Sequence, residues 1–309
     1  MKLKVVQTTL PWLNTLFLSL ALSSFLVGCS VSKPQSDRAV TEQEQILAAS
    51  YWTEARIMEA IQPVRQSEEH DHDNDVSKML GTWPLDTKKF PGNTVGLLLS
   101  TFPGNVNSAC TAQVVSPTSK NVLMTAAHCV YDPVKKVWAS DVNFYLGYGY
   151  PGMRILPIKC KTIFTDWPGT RPGTHQIYAR DVAFLQLDTK YAGKVLGFRN
   201  LPARGELVNA VGYSGAHGGG KTPSELIGKI TQASPLQKIA TMHNVFTEGA
   251  SGGAWIQGDR VVGLNSSGVK SGPHKGKVMY GPLMRSEILQ LLKHSETTDC
   301  NGHNIGSGV

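Results

Sequence analysis

The amino-acid sequence predicts an all-β fold, a barrel or a sandwich, closed by one C-terminal helix. Three observations predict it. From about Trp83 onward, short apolar runs alternate with clusters of Gly, Pro, Asn and Ser, the pattern of strands divided by turns. Only residues 283–294 in this region repeat apolar side chains at helical spacing, through Leu283, Ile288, Leu291 and Leu292. The stretch involved, roughly 210 residues, is ample for a buried interior.

In chain order, the apolar runs place strands at 95–99, 111–115, 122–125, 142–146, 155–163, 182–187, 208–213, 225–230, 253–256 and 261–264. Ahead of them the texture is different. Met1 to Lys4 carries two positive charges, and residues 16–27 form a mostly apolar run closed by Leu26-Val27-Gly28-Cys29. That run falls short of the ~20 apolar residues of a membrane-spanning helix and fits a secretory signal over 1–28. A cysteine straight after the small residue resembles a bacterial lipobox, which implies lipidation of Cys29 as the mature N-terminus. Ser30 rather than an aspartate follows it, which by resemblance points to an outer membrane.

Residues 29–82 read as a tether that could include a pro-region. Its start, 30–38, is polar and holds a proline. Ile46, Ala49, Trp52, Ile57 and Ala60 then recur at roughly helical spacing, and Pro63 ends the pattern. The run Glu68-Glu69-His70-Asp71-His72-Asp73-Asn74-Asp75 has metal-binding residue types, but a hydrated linker is the commoner meaning of so polar a stretch. The remaining spans are a domain over 83–296 and a tail over 297–309.

Charge and cysteine usage limit the function classes. The formal net charge of +7 includes Lys2 and Lys4 of the leader. No Lys/Arg run or interleaved aromatic stripe suggests nucleic acid as a partner. The five cysteines are at 29, 110, 129, 160 and 300. Assigning Cys29 to lipid leaves an even set, suited to two disulfides in an oxidising compartment.

Three segments carry chemistry. Leu123-Met124-Thr125-Ala126-Ala127-His128-Cys129 ends an apolar strand in small residues, so that a histidine projects from the strand's end. Asp181-Val182-Ala183-Phe184-Leu185-Gln186-Leu187 places an acid at the head of an apolar strand, where a partly buried carboxylate needs a partner. Gly249-Ala250-Ser251-Gly252-Gly253-Ala254-Trp255 sets a serine among glycines before another apolar strand. The competing acids Asp132, Asp141 and Asp166 begin no apolar strand. A hydroxyl, an imidazole, an orienting carboxylate and backbone N–H groups aimed at an oxyanion are what acyl transfer by serine requires.

These segments resemble the histidine, aspartate and serine motifs of trypsin-like peptidases, over roughly residues 93–294, and are most similar to secreted bacterial members related to the glutamyl endopeptidases. Tyr51-Trp52-Thr53-Glu54-Ala55-Arg56 also looks like a short motif ahead of the catalytic domain in some of them. The resemblance implies two six-stranded antiparallel β-barrels of chymotrypsin type with the C-terminal helix. It implies a triad of His128, Asp181 and Ser251, an oxyanion hole from the N–H groups of Gly249 and Ser251, and a disulfide between Cys110 and Cys129, which leaves Cys160 for Cys300. The substrate would be a protein or peptide, with no metal or organic cofactor.

Two departures follow the resemblance. Trypsin-like enzymes carry an aspartate before the nucleophile to receive a freed N-terminus, and Ala250 stands there. The expected substrate-binding positions are Val245, Phe246, Glu248, Asn265 and Ser266. Val245 occupies the pocket floor where trypsin has an aspartate, so a buried cationic side chain would lack its partner. Asn265 and Phe246 stand where glutamyl endopeptidases use histidine and threonine, and Glu248 at the pocket entrance would repel an acid. An uncharged P1 residue, small or apolar, is expected. The expectation is therefore an exported serine endopeptidase anchored to the cell envelope by lipid. A non-catalytic lipoprotein that uses the same barrels for binding, or an esterase, are the rival readings.

Overall fold

The computed structural model describes residues 34–61, 81–167 and 175–300. The leader 1–28, Cys29 and the histidine-rich run at 68–75 lie outside the described residues, as does the tail beyond Cys300. No helix among the described residues is long and apolar enough to cross a membrane.

Two β-barrels make up the fold, as expected, but each sheet is larger than six strands. Among the described residues the first sheet runs Pro34–Ser36, Ile158–Phe164, Ala183–Leu187, Val122–Thr125, Val106–Val115, Val95–Phe102, Ser140–Leu146 and Arg154–Leu156, with all neighbours antiparallel. The second runs Gly197–Phe198, Arg260–Leu264, Ala254–Gln257, Leu207–Gly212, Ser224–Ser234, Ile239–His243, Val278–Pro282 and Ser267–Gly268. Thr82–Pro84 pairs beside Ser224–Ser234, and Gly197–Phe198 joins in parallel. One apolar cluster fills the first barrel, around Leu97, Leu98, Leu123, Phe144 and Phe184. Another fills the second, around Ala210, Leu226, Met242 and Trp255.

Three expectations are corrected. The single strand at 155–163 is two, broken at Pro157, whose missing N–H cannot join the ladder. The helical spacing read through Ile46, Ala49, Trp52, Ile57 and Ala60 likewise belongs to two helices, Glu42–Tyr51 and Glu54–Ile61. Between them Trp52 is buried in the first barrel's core, and Thr53 opens the second helix by accepting the Ile57 and Arg56 N–H groups. The C-terminal helix begins at Ser286 rather than at 283, because Leu283 is still tied to the sheet, its side chain in the second core and its N–H donating to Lys238 O.

The stretch read as a tether is, along residues 34–61, part of the first barrel. Pro34–Ser36 covers the edge of Ile158–Phe164. Ser36 Oγ meets Thr162 Oγ1 at 2.9 Å and His294 Nε2 at 3.2 Å, and Lys161 pairs with Asp37 at 2.7 Å. Ile57 and Ile61 join Trp52 in the core. The C-terminal helix Ser286–Thr297 packs back on this same barrel through Ile288, Leu291 and Leu292, and Cys300 beyond it is disulfide-bonded to Cys160. Both ends of the described chain thus converge on the first barrel.

Candidate active site

Strand register brings the histidine and the aspartate together. Ala183–Leu187 runs antiparallel to Val122–Thr125 with Ala183 opposite Thr125. Continuing that register past both strand ends sets Asp181 opposite Ala127, next to His128. The chain turns there in one short 3₁₀ segment, Ala127–Cys129, closed by Cys129 N–H to Ala126 O. Cys129 is disulfide-bonded to Cys110 on the adjoining strand Val106–Val115, so the turn that carries His128 is tied to the sheet covalently.

Asp181 is 4% exposed and accepts three hydrogen bonds. His128 Nδ1 lies 2.8 Å from Oδ2, the His128 backbone N–H donates to Oδ1 at 3.0 Å, and Ser266 Oγ donates to Oδ2 at 2.6 Å. An ionised carboxylate can only accept, so Nδ1 carries the proton and Nε2 keeps its lone pair. The His128 side chain is 36% exposed, open enough for that lone pair to meet a substrate. Burial pushes the imidazole pKa down, but the Asp181 charge and its hydrogen bond outweigh burial and hold it above the ordinary histidine value; Lys270 acts in the lowering direction. For Asp181, burial pushes upward, and the histidine charge with the three hydrogen bonds overcomes it, leaving the carboxyl below its usual range.

Ser251 comes from the other barrel, half-buried in a turn between Thr247 and Ala254. Gly249 and Gly252 both sit at positive φ, +84° and +83°, where a side chain would be strained. A Cβ at Gly252 would also lie 2.2 Å from Thr125 Oγ1 and 2.7 Å from Ala126 N. The serine turn therefore presses directly on the chain leading to His128. Cys129 Sγ lies 3.9 Å from the Ser251 carbonyl oxygen.

Two polar side chains of Val106–Val115 hold the turn across the barrel interface. Thr111 donates its N–H to Ser251 O at 2.8 Å and its hydroxyl to Gly249 O at 2.9 Å, while the hydroxyl accepts Tyr213 N–H. Gln113 donates to Gly252 O at 3.1 Å and accepts Ala254 N–H at 3.0 Å. Glu248 O is held by Gly215 N–H at 3.0 Å. In a planar trans peptide the N–H points opposite the carbonyl, so this bond fixes the direction of Gly249 N–H.

Neither Thr111 nor Gln113 was expected from sequence. The available signal was polarity: both are fully buried in the otherwise apolar second half of the strand, 110–115. Of the expected substrate-binding residues, Val245 and Phe246 belong to the second core, and Glu248 is exposed. Two are corrected. Ser266 points its hydroxyl at Asp181, and Asn265 is wholly buried with its amide occupied by four protein partners. These two are parts of the framework and leave no free group for a substrate side chain.

A family model described as a trypsin-like peptidase domain matches residues 110–264. No curated protein matches the chain in sequence. Among solved structures, the protease Anisep from Arthrobacter nicotinovorans is similar with a TM-score of 0.57 at 22% identity, covering 71% of this chain and 100% of that one. The thermostable serine protease AL20 from an extremophilic microorganism gives 0.56 at 22%, covering 67% and 98%. A Glu endopeptidase gives 0.57 at 20%, covering 71% and 97%. These likenesses bear on the fold.

Proposed function

Because the chain belongs to the trypsin-like peptidase family and is a serine-type endopeptidase, we propose that His128, Asp181 and Ser251 are its catalytic triad. The observation that carries this is the Asp181 carboxylate, buried and bonded to both His128 Nδ1 and Ser266 Oγ. An acid so placed keeps the imidazole in the tautomer whose Nε2 can take a proton.

In the proposed reaction Ser251 Oγ attacks the peptide carbonyl carbon as its proton passes to His128 Nε2. The oxyanion that forms is met by the N–H groups of Gly249 and Ser251. Collapse breaks the C–N bond, and the proton moves from Nε2 to the leaving amine, which departs. Water then attacks the acyl-enzyme by the same route, giving its proton to His128 and releasing the acid and Ser251. Every proton is carried by the chain's own groups.

The buried apolar pair Val245 and Phe246 offers no partner to a buried cation, and the exposed Glu248 would repel an acidic side chain at the entrance; together they support an uncharged P1 residue. We further propose export by the leader and anchoring through lipid on Cys29, a reading supported by the lipobox-like sequence and by the two disulfides.

A fluorophosphonate probe tests the triad. Labelling is expected at Ser251 in the wild-type chain and none in Ser251→Ala; a folded wild-type chain that stays unlabelled refutes it. A peptide library run on the labelled-competent enzyme should show small or apolar residues at P1, and a profile led by Arg, Lys or Glu refutes the specificity.

A further inference from the structure

We propose that Asn265 is the positioning residue that aims the Ser251 N–H at the oxyanion, an inference that rests on the triad reading above. The argument begins with the peptide between Ala250 and Ser251. Because that unit is planar and trans, whatever holds Ala250 O determines where Ser251 N–H points. Two donors hold it: Asn265 Nδ2 at 3.0 Å and Gly253 N–H at 3.0 Å. The Gly253 bond lies within the turn. The Asn265 bond ties the turn to the rest of the barrel.

Asn265 is itself fixed from all sides. It is 0% exposed. Its Oδ1 accepts Trp255 Nε1–H at 2.7 Å and Asn244 Nδ2 at 2.9 Å, and its Nδ2 donates a second bond to Val211 O at 3.1 Å. An indole N–H can only donate, so the oxygen end of the amide must face Trp255 and the NH₂ end must face the two carbonyls. All four hydrogen-bonding positions of the amide are used. The backbone of Asn265 adds two more grips, accepting Gly252 N–H at 2.7 Å and donating to Gly253 O at 2.8 Å. One residue thus contacts positions 250, 252 and 253, on both sides of the nucleophile.

What this replaces is visible at Ala250. No carboxylate is there to draw in a new chain terminus, and the Ala250 side chain is buried against Gly212, where even a Cβ would lie 2.8 Å from it. The serine turn is aligned instead by a neutral amide from a distant strand end, so its geometry does not depend on cleavage of the chain. The same facts explain why Asn265 leaves nothing for an acidic substrate side chain.

The test uses Asn265→Asp and Asn265→Ser in the full chain. The aspartate keeps the shape but turns an oxygen toward Ala250 O and Val211 O; the serine shortens the side chain and removes the reach. For each variant kcat and KM are measured per active site, with thermal unfolding as the fold control. Hydrogen exchange of the 247–254 peptide is followed by mass spectrometry. The proposal expects kcat to fall by about 10²-fold, the order seen when an oxyanion donor is lost, with KM changed by less than about threefold. It also expects faster exchange at 247–254 while both barrels keep their protection. A folded variant with wild-type kcat overturns it, as does a loss of activity that only tracks the unfolded fraction or an exchange increase spread over both barrels. Should wild type itself fail to label at Ser251, the triad reading falls, and the exchange comparison still decides whether Asn265 holds the turn.

Discussion

The two halves of the candidate site are held by different means. The histidine turn is fastened covalently, by Cys110–Cys129 across 19 residues, and by a buried carboxylate delivered through strand register. The serine turn has no covalent tie. Thr111 and Gln113 reach it from the other barrel, 138 and 139 residues away in sequence, and Asn265 reaches it from the strand end behind it. A disulfide acts mainly by restricting the unfolded chain and has little say over direction. A hydrogen bond to a named carbonyl acts only in the folded state and sets the orientation of one peptide. The proposed reaction needs the histidine only near the serine, but it needs the serine turn to point its N–H groups in one direction. The directional clamp sits where direction matters.

The largest effect should come from changing Asp181, the carboxylate proposed to orient His128. Asp181→Asn keeps the shape but offers an NH₂ to Nδ1, favouring the tautomer whose Nε2 is already protonated. By the precedent of such triads kcat should fall about 10⁴-fold, with little change in unfolding midpoint because the neutral amide is easier to bury. Steady-state kinetics at neutral pH check this, and a loss of less than about tenfold would mean that Asp181 is not the orienting acid.

A smaller effect separates the two clamps from each other. Replacing Cys110 and Cys129 together by serine should cost about 3 kcal/mol of stability in the chain-entropy account, with the molecules that remain folded turning over at near the wild-type rate. Thr111→Val removes a hydroxyl that serves Gly249 O and Tyr213 N–H. It should cost about 1–3 kcal/mol through those unpaired groups, yet lower kcat in the folded enzyme by more than the disulfide loss does. Denaturant titration paired with active-site titration reads both quantities. If each variant loses activity only in proportion to unfolding, the contrast between covalent and directional clamping disappears.

The same contrast explains what could be read in the sequence. Strands announce themselves by local apolar runs, and a histidine at the end of one or an acid at the head of another is a contiguous pattern, so the barrels and the meeting of His128 with Asp181 are legible in the sequence. For Asn265 and Ser266 the sequence marks the place but not the bonds their side chains make within the framework. Their partners lie 54, 85 and 15 residues away, and no periodicity links an amide to a carbonyl over such gaps. The packing of residues 34–61 on the first barrel is hidden for a related reason. The helix Glu42–Tyr51 buries only Ala48, and its surface composition reads as a tether, while Trp52, Ile57 and Ile61 do the packing. Pro157 is different: its break in the strand was there to be read.

The smallest effect probes the histidine half through charge. Lys270 is exposed and lowers the His128 pKa, while Asp181 raises it above the ordinary value. In the proposed mechanism the working base is the neutral imidazole, so activity should fall as pH drops through that pKa. A positive charge nearby disfavours the imidazolium, and removing it by Lys270→Gln should therefore raise the pKa and move the acid limb of kcat/KM to higher pH. The plateau at higher pH should be unchanged, because Lys270 contributes no proton to the reaction. An exposed charge is screened by salt, so the displacement should shrink to nothing near about 1 M salt, where the screening length is about 3 Å. The hydrogen bond between His128 and Asp181 is buried and should survive that salt, leaving the limb of wild type above the ordinary histidine range. If Lys270→Gln moved the limb downward, or if salt abolished the Asp181 effect as readily as the Lys270 one, the buried pair would not be what sets the base, and the distinction between the rigid inner contacts of the histidine half and its solvent-exposed surroundings would have to be redrawn.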